Sequence, residues 1–314
     1  MVYFPYFRGK QFELIAIRES AKFFKDNEFV PIIEPVKKEL KSLKRALDFL
    51  CEENTDVIVI INPLKGDLNN DGESIVTLLE DEFPDNDNII FGILLTEDLS
   101  AEDAFNIIER MDKKEIAIIH AGFSDAKGLA TLIQDKTSSI ISIFFEDYCG
   151  KLYRRHFSKS KKRVLLRDGF QKRTNRNHPQ VEFFSDLHAT YTEEGMDAFG
   201  DFLIVGDEYL TGGGPAYTIA IHLTFIDNEK DEEMHINHFK SIRQNTPKDP
   251  AGKFAEALDK LIFELSQPNC KILKTTSAII EFKDLHSRGH FPGLGHVKKL
   301  SMKHHIETLG HFFE

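Results

Sequence analysis

Polar and charged residues stand directly after a series of short apolar, β-rich runs: Glu34, Asn62, Thr96, His120, Glu146, Arg167 with Asp168, and Asp207 with Glu208. Carboxylates brought together bind a hard divalent cation through oxygen, and a histidine beside them can move a proton near neutral pH. Glu34, Glu146 and Asp168 are therefore candidate metal ligands, and His120 is the candidate acid or base. The four would form the catalytic set of a metal-dependent phosphodiesterase or related hydrolase. A divalent metal is the one cofactor this pattern suggests, and the cofactor is otherwise open. Loops are polar in any case, so plain surface at the strand ends gives the same spacing.

A second set of residues suits anions. Between Lys151 and Arg176 lie eleven Lys or Arg residues and a single acid, Asp168, in a chain of net charge -11. Arg154, Arg155, Arg167, Arg173 and Arg176 can grip phosphate through paired N–H donors, and Arg8 and Lys10 near the amino terminus extend the set. The alternatives are a solvated basic stretch or one that faces acidic residues of the same protein. No regular interleaving of aromatics marks a stacking platform for single-stranded nucleic acid.

Other features are weaker. The run Gly206-Asp207-Glu208-Tyr209-Leu210-Thr211-Gly212-Gly213-Gly214-Pro215 would let backbone N–H groups approach an anion, yet it matches neither the P-loop nor the dinucleotide fingerprint. His286, His290, His296, His304, His305 and His311 crowd the last part of the chain without metal-ligand spacing. Asp186 stands two residues from His188 and could orient its ring, or both could simply be surface residues. No Gly-x-Ser-x-Gly elbow and no cysteine nucleophile motif is present, which argues against covalent acyl chemistry.

Parallel strands joined by crossover helices would bring such strand-end residues to one mouth. Runs with strand character are Val2–Tyr6, Phe29–Ile33, Val57–Ile61, Ile89–Leu95, Ile116–Ile119, Ile140–Phe145 and Val164–Leu166, with the eighth at Phe202–Val205 or Tyr217–Thr224. Several are apolar throughout, as expected when both faces of a strand are covered. Between them, helical stripes appear at Leu43, Ala46, Leu47 and Leu50, at Ile75, Leu78 and Leu79, and at Ala104, Ile107, Ile108 and Met111. Ser100 with Asp103 reads as an N-cap. The expected fold is a TIM-like (β/α) barrel of the α/β class over residues 1–226. A hairpin around Asp227 to Glu233 and a mainly helical appendage would fill 227–314, with Pro250 in a first helical turn and Phe254, Leu258, Leu261, Ile262 and Leu265 on one face.

Composition fits a globular α/β chain of 314 residues: 41% hydrophobic, 29% charged, with 27 Phe and no Trp, so that phenylalanine carries the bulky packing. Cys51, Cys149 and Cys270 are scattered and odd in number, which suits a reducing compartment rather than a disulfide framework. The longest apolar runs are strand-sized, so no membrane span is expected and the expected location is cytoplasmic.

Two stretches, Tyr3-Phe4-Pro5-Tyr6-Phe7-Arg8-Gly9-Lys10-Gln11-Phe12-Glu13-Leu14 and Pro31-Ile32-Ile33-Glu34-Pro35, resemble the opening of the bacterial and phage "beta family" proteins. The resemblance continues through Arg167-Asp168-Gly169-Phe170, Phe184-Ser185-Asp186-Leu187-His188, Gly200-Asp201-Phe202, Gly206-Asp207-Glu208 and His290-Phe291-Pro292-Gly293-Leu294-Gly295. It covers the length of the chain and implies a barrel-like fold. It also implies a setting in mobile-element or phage-conflict loci, beside a small nuclease-like companion protein. It brings no reaction and no catalytic residues.

Three functional readings follow. The first is a defence- or mobile-element-associated barrel protein that recognises a phosphorylated ligand or nucleic acid, with a partner protein. The second is the metal-dependent hydrolase acting on phosphoester bonds at the barrel mouth. The third is a non-catalytic scaffold for a companion nuclease, with the basic segment docking an acidic partner.

Overall fold

The structure is a computed structural model and describes residues 1–69, 71–111, 114–212 and 214–314. The chain first alternates strand and helix: β1 (Tyr6–Phe7), α1 (Gln11–Asp26), β2 (Ile32–Ile33), α2 (Lys41–Glu52), β3 (Val57–Ile60), α3 (Glu73–Glu82), β4 (Ile89–Leu95), α4 (Ala101–Arg110), β5 (Ile116–His120), α5 (Ala126–Leu132), β6 (Ile141–Phe145), α6 (Lys151–Arg155) and β7 (Lys162–Arg167). There follow β8 (Val181–Ser185), α7 (Leu187–Thr190), β9 (Ala198–Asp201), β10 (Ala220–Asp227), β11 (Glu233–Lys240), α8 (Pro250–Ser266), α9 (Ser277–Ser287) and α10 (Leu294–Phe313).

Two compact units result, Met1–Arg167 with Thr190–Asp201, and Asp168–Ala189 with Phe202–Glu314. In the first, β1 to β7 and β9 form one parallel eight-stranded sheet in that order. The sheet closes on itself where Tyr3 pairs in parallel with Phe199, through Phe4 N–H to Phe199 O (2.9 Å) and Phe199 N–H to Val2 O (3.0 Å). This is a TIM-like α/β barrel. Every residue of β3, β4, β5 and β6 is buried, because helices cover the outside and side chains fill the inside. The helical stripe of α2 buries Leu43, Ala46, Leu47 and Leu50. Ser100 caps α4 by accepting from Asp103 N–H.

The eighth strand is a correction. It is Ala198–Asp201, neither Phe202–Val205 nor Tyr217–Thr224. A four-residue segment containing glycine and aspartate carries little intrinsic strand signal, and its pairing is decided by β7 on one side and Tyr3 on the other. At Gly200 a Cβ would lie 2.1 Å from Phe4 O and 2.3 Å from Leu166 Cδ2. The glycine that weakens the sequence signal is thus what lets the chain close.

The second unit is an antiparallel sheet in the order β10-β11-β8 with α8, α9 and α10. Its hairpin turns where the sequence places it, with Asp227 opposite Glu233. Asp249 caps α8 by accepting from Gly252 N–H, and Pro250 occupies the first turn. Phe254, Leu258, Leu261 and Leu265 pack with Ile221, Leu223, Ile279 and Phe282 into one core. The expected boundary after residue 226 would cut β10, and the contacts divide the chain instead at Arg167 and Asp201, because β10 pairs with β11 and not with the barrel sheet. No helix of the described residues is long and apolar enough to cross a membrane.

Candidate functional site

Along the carboxyl ends of the barrel strands the expected residues are found, but mostly committed to one another. Glu34, after β2, is 1% exposed and accepts from Arg8 Nη1 (2.8 Å), Tyr6 OH (2.9 Å) and Leu64 N–H (3.1 Å). Its carboxylate ties the ends of β1 and β2 to the segment after β3. Lys10 is the half-buried N-cap residue of α1. Glu146, after β6, receives Arg167 Nε (2.5 Å) and Nη2 (3.0 Å) from the end of β7. This two-point contact is the strong form of an ion pair.

His120 ends β5 and is fully buried. Its ring stacks on Phe144 with centroids 4.7 Å apart and meets Phe157 at 4.3 Å, while Nδ1 bonds Tyr153 OH at 2.8 Å. Desolvation pushes its pKa down to about 3, so the imidazole is neutral at ordinary pH. A ring enclosed by aromatics in this way has no route for passing protons to a substrate, and packing accounts for it better than acid–base chemistry.

The basic segment is divided between the two units. In the barrel, Arg154 is 4% exposed and bonds Glu194 at 3.0 Å, Lys161 pairs with Glu115, and Arg155 is exposed. The remainder, from Asp168 onward, belongs to the second unit. Asp168 accepts from Phe170 N–H (2.9 Å) and Asp207 N–H (2.8 Å). It thereby fixes the turn that leads into 170–176 against the turn at Gly206.

That fixed segment forms one wall of a cavity of about 890 Å³. Lys172, Arg173, Arg176 and Lys298 line it, no Asp or Glu does among the described residues, and Ile204, Val205, Tyr217, Ile219 and Val297 supply apolar wall. Arg173 Nη1 lies 2.7 Å from both oxygens of Glu182. Arg176 Nη2 donates to Gln244 O at 3.0 Å, and Asn175 Nδ2 to Thr218 O at 2.9 Å. These bonds hold the 173–176 backbone in place with its cations at the cavity. Gly214 and Pro215 reach the cavity, whereas Gly213 of the glycine run lies outside the described residues.

Beside the cavity is a histidine cluster that motif spacing does not reveal. His222 on β10 and His238 on β11 are cross-strand partners, with their Nδ1 atoms 2.6 Å apart. His178 lies 4.3 Å from His238, ring to ring and stacked. Glu182 Oε1 accepts from His178 Nδ1 (3.2 Å) and His238 Nε2 (3.0 Å). Phe170 packs on His178 and His222, and both Phe170 and His222 line the cavity. Burial is the largest cause holding all three imidazoles below their ordinary pKa, with His238 pushed down to about 4. The rings are therefore neutral, which is the form that donates a lone pair.

Among the described residues, one group of three His, Cys, Asp or Glu places a ligand atom from each within 4.8 Å of the others, and it is His178, Glu182 and His238. Of the expected metal set, Glu34 is held by Arg8 and Tyr6, Glu146 by Arg167, and Asp168 by the N–H groups of Phe170 and Asp207. The late histidines are dispersed: His286 bonds Asp259, His296 bonds Glu281, and His304 bonds Thr276 and Thr224 O. His188 bonds Glu232 O at 2.9 Å. One signal for the missed pair was present, since a hairpin that turns symmetrically at 227–233 must place 222 opposite 238. No family model, curated protein or solved structure matches the chain.

Proposed function

We propose that the chain recognises a phosphorylated ligand of nucleotide size in the cavity of its second unit. The observation that carries this reading is the lining: four cationic side chains, no carboxylate among the described residues, and an apolar wall, within a chain of net charge -11. Cations select the phosphate, and the apolar wall takes the rest of the ligand, in the usual division of labour within a small-molecule pocket. Arg173 is engaged by both oxygens of Glu182, and the phosphate contacts are assigned to the cavity-lining Lys172, Arg176 and Lys298. The beta-family resemblance adds a defence- or mobile-element setting and a companion protein, to be sought by co-purification.

The test is equilibrium binding of fluorescent mono- and triphosphate nucleotides to the full chain. The variant Lys172→Gln/Arg176→Gln/Lys298→Gln should bind at least tenfold more weakly, since each charge-assisted contact contributes about 1 kcal/mol or more, and should depend less on salt. Affinity unchanged in that variant would exclude the cavity as the site.

A further inference from the structure

We propose that His178, Glu182 and His238 form a binding site for a zinc-class divalent cation. Two imidazole nitrogens and one carboxylate oxygen are a donor set of the kind that holds zinc with a fourth position left to water. A tetrahedral ion with bonds of about 2.0–2.1 Å needs neighbouring donors about 3.3 Å apart. The separations here, 3.2 Å from His178 Nδ1 and 3.0 Å from His238 Nε2 to Glu182 Oε1, are close to that.

The His178 ring is enclosed and engaged on the cluster side through Nδ1 alone. His178 is 2% exposed, and its Nε2 is buried with no hydrogen-bond partner. When Nδ1–H donates to Glu182, Nε2 is left as a bare lone pair, and an unsatisfied buried polar group costs roughly 1–3 kcal/mol.

The surroundings supply support from neighbouring groups. With His238 Nε2 on the metal, its proton moves to Nδ1, which then donates to His222 Nδ1, already 2.6 Å away. A ligating histidine commonly has its other nitrogen fixed in this manner. Arg173 contacts both Glu182 oxygens. An entering ion takes Oε1 while Arg173 keeps Oε2, so the carboxylate stays ionised throughout.

Metal loading is measured without any phosphorylated ligand, so this inference and the cavity reading fail independently. The full chain is dialysed against chelator and titrated with Co²⁺, and then with Zn²⁺ as competitor. Visible d–d absorption of tetrahedral intensity, saturating at one ion per chain and abolished by Zn²⁺, is expected. His178→Gln and His238→Gln should each weaken binding by more than about 100-fold, beyond the 10–100-fold that loss of a supporting neighbour costs. His311→Gln, an exposed histidine outside the cluster, should bind as the parent does. Absence of the absorption and of retained zinc in the parent protein would overturn the site. Undiminished binding in the two variants, shown folded by circular dichroism, would do the same.

Discussion

Arg8 and Glu34 form the most completely buried ion pair of the barrel strand ends, with side chains 7% and 1% exposed and 2.8 Å between Nη1 and Oε2. Removing one member of such a pair strands the other charge away from water, at a cost of about 3–5 kcal/mol, whereas replacing both by apolar groups of similar volume is far milder. Arg8→Met should therefore lower unfolding free energy by about 3 kcal/mol, and Arg8→Met/Glu34→Met should recover much of it. Urea denaturation of the two variants checks this, and equal losses in both would show that the residues act by their separate contacts. His120 yields a prediction in pH. Its pKa is about 3 in the folded chain against an ordinary 6.5. Below 6.5 the unfolded chain takes up a proton that the folded chain refuses, so stability is lost as pH falls from 6.5 towards 3, by up to about 1.4 kcal/mol per pH unit. His304, buried and pushed down to about 4, acts in the same direction. In His120→Phe the slope of unfolding free energy against pH between 6 and 4, about the middle of that window, should be shallower by roughly that amount. An unchanged slope would mean that His120 takes up its proton equally in the folded and unfolded states.

At the scale of elements, the closing strand β9 is the weak point that the barrel depends on. Its glycine sits where a Cβ would meet backbone at 2.1 Å, and backbone cannot yield as a flexible side-chain end can. Gly200→Val should cost about 3 kcal/mol or more, at the upper end of overpacking penalties, and lower the melting temperature accordingly. Gly212 and Gly214 provide the contrast, since a Cβ at either meets nothing within 4 Å. Alanine at those two positions should leave the melting temperature within about a degree or two. The three-stranded sheet owes its chemistry to register: a shift of one residue between β10 and β11 would turn His222 and His238 to opposite faces and dismantle the cluster.

For the whole molecule, the distribution of charge matters more than its sum. A net charge of -11 repels anions at long range, yet the cavity concentrates cations where an anion would be held. The ligand reading accordingly rests on local geometry rather than on overall charge. Salt screens the long-range repulsion and the cavity attraction together, so the difference in salt slope between the parent and the Lys172/Arg176/Lys298 variant is the informative quantity. The sequence by itself determined the barrel class, because covered parallel strands must be apolar on both faces, and β3, β4, β5 and β6 are. It also determined the stripe of α2, the cap at Ser100, Pro250 in the first turn of α8, and the hairpin at 227–233, all of which rest on neighbours within a few residues. Tertiary structure decided the rest. Only the closure at Tyr3 and Phe199 makes Ala198–Asp201 a strand, and only the partner across space tells a free carboxylate from one held by arginine, as with Glu34 and Glu146. The cluster of His178, Glu182, His222 and His238 is assembled from β10, β11, β8 and the segment before β8. Such a set has no spacing to read, because sheet register and not sequence distance brings its members together.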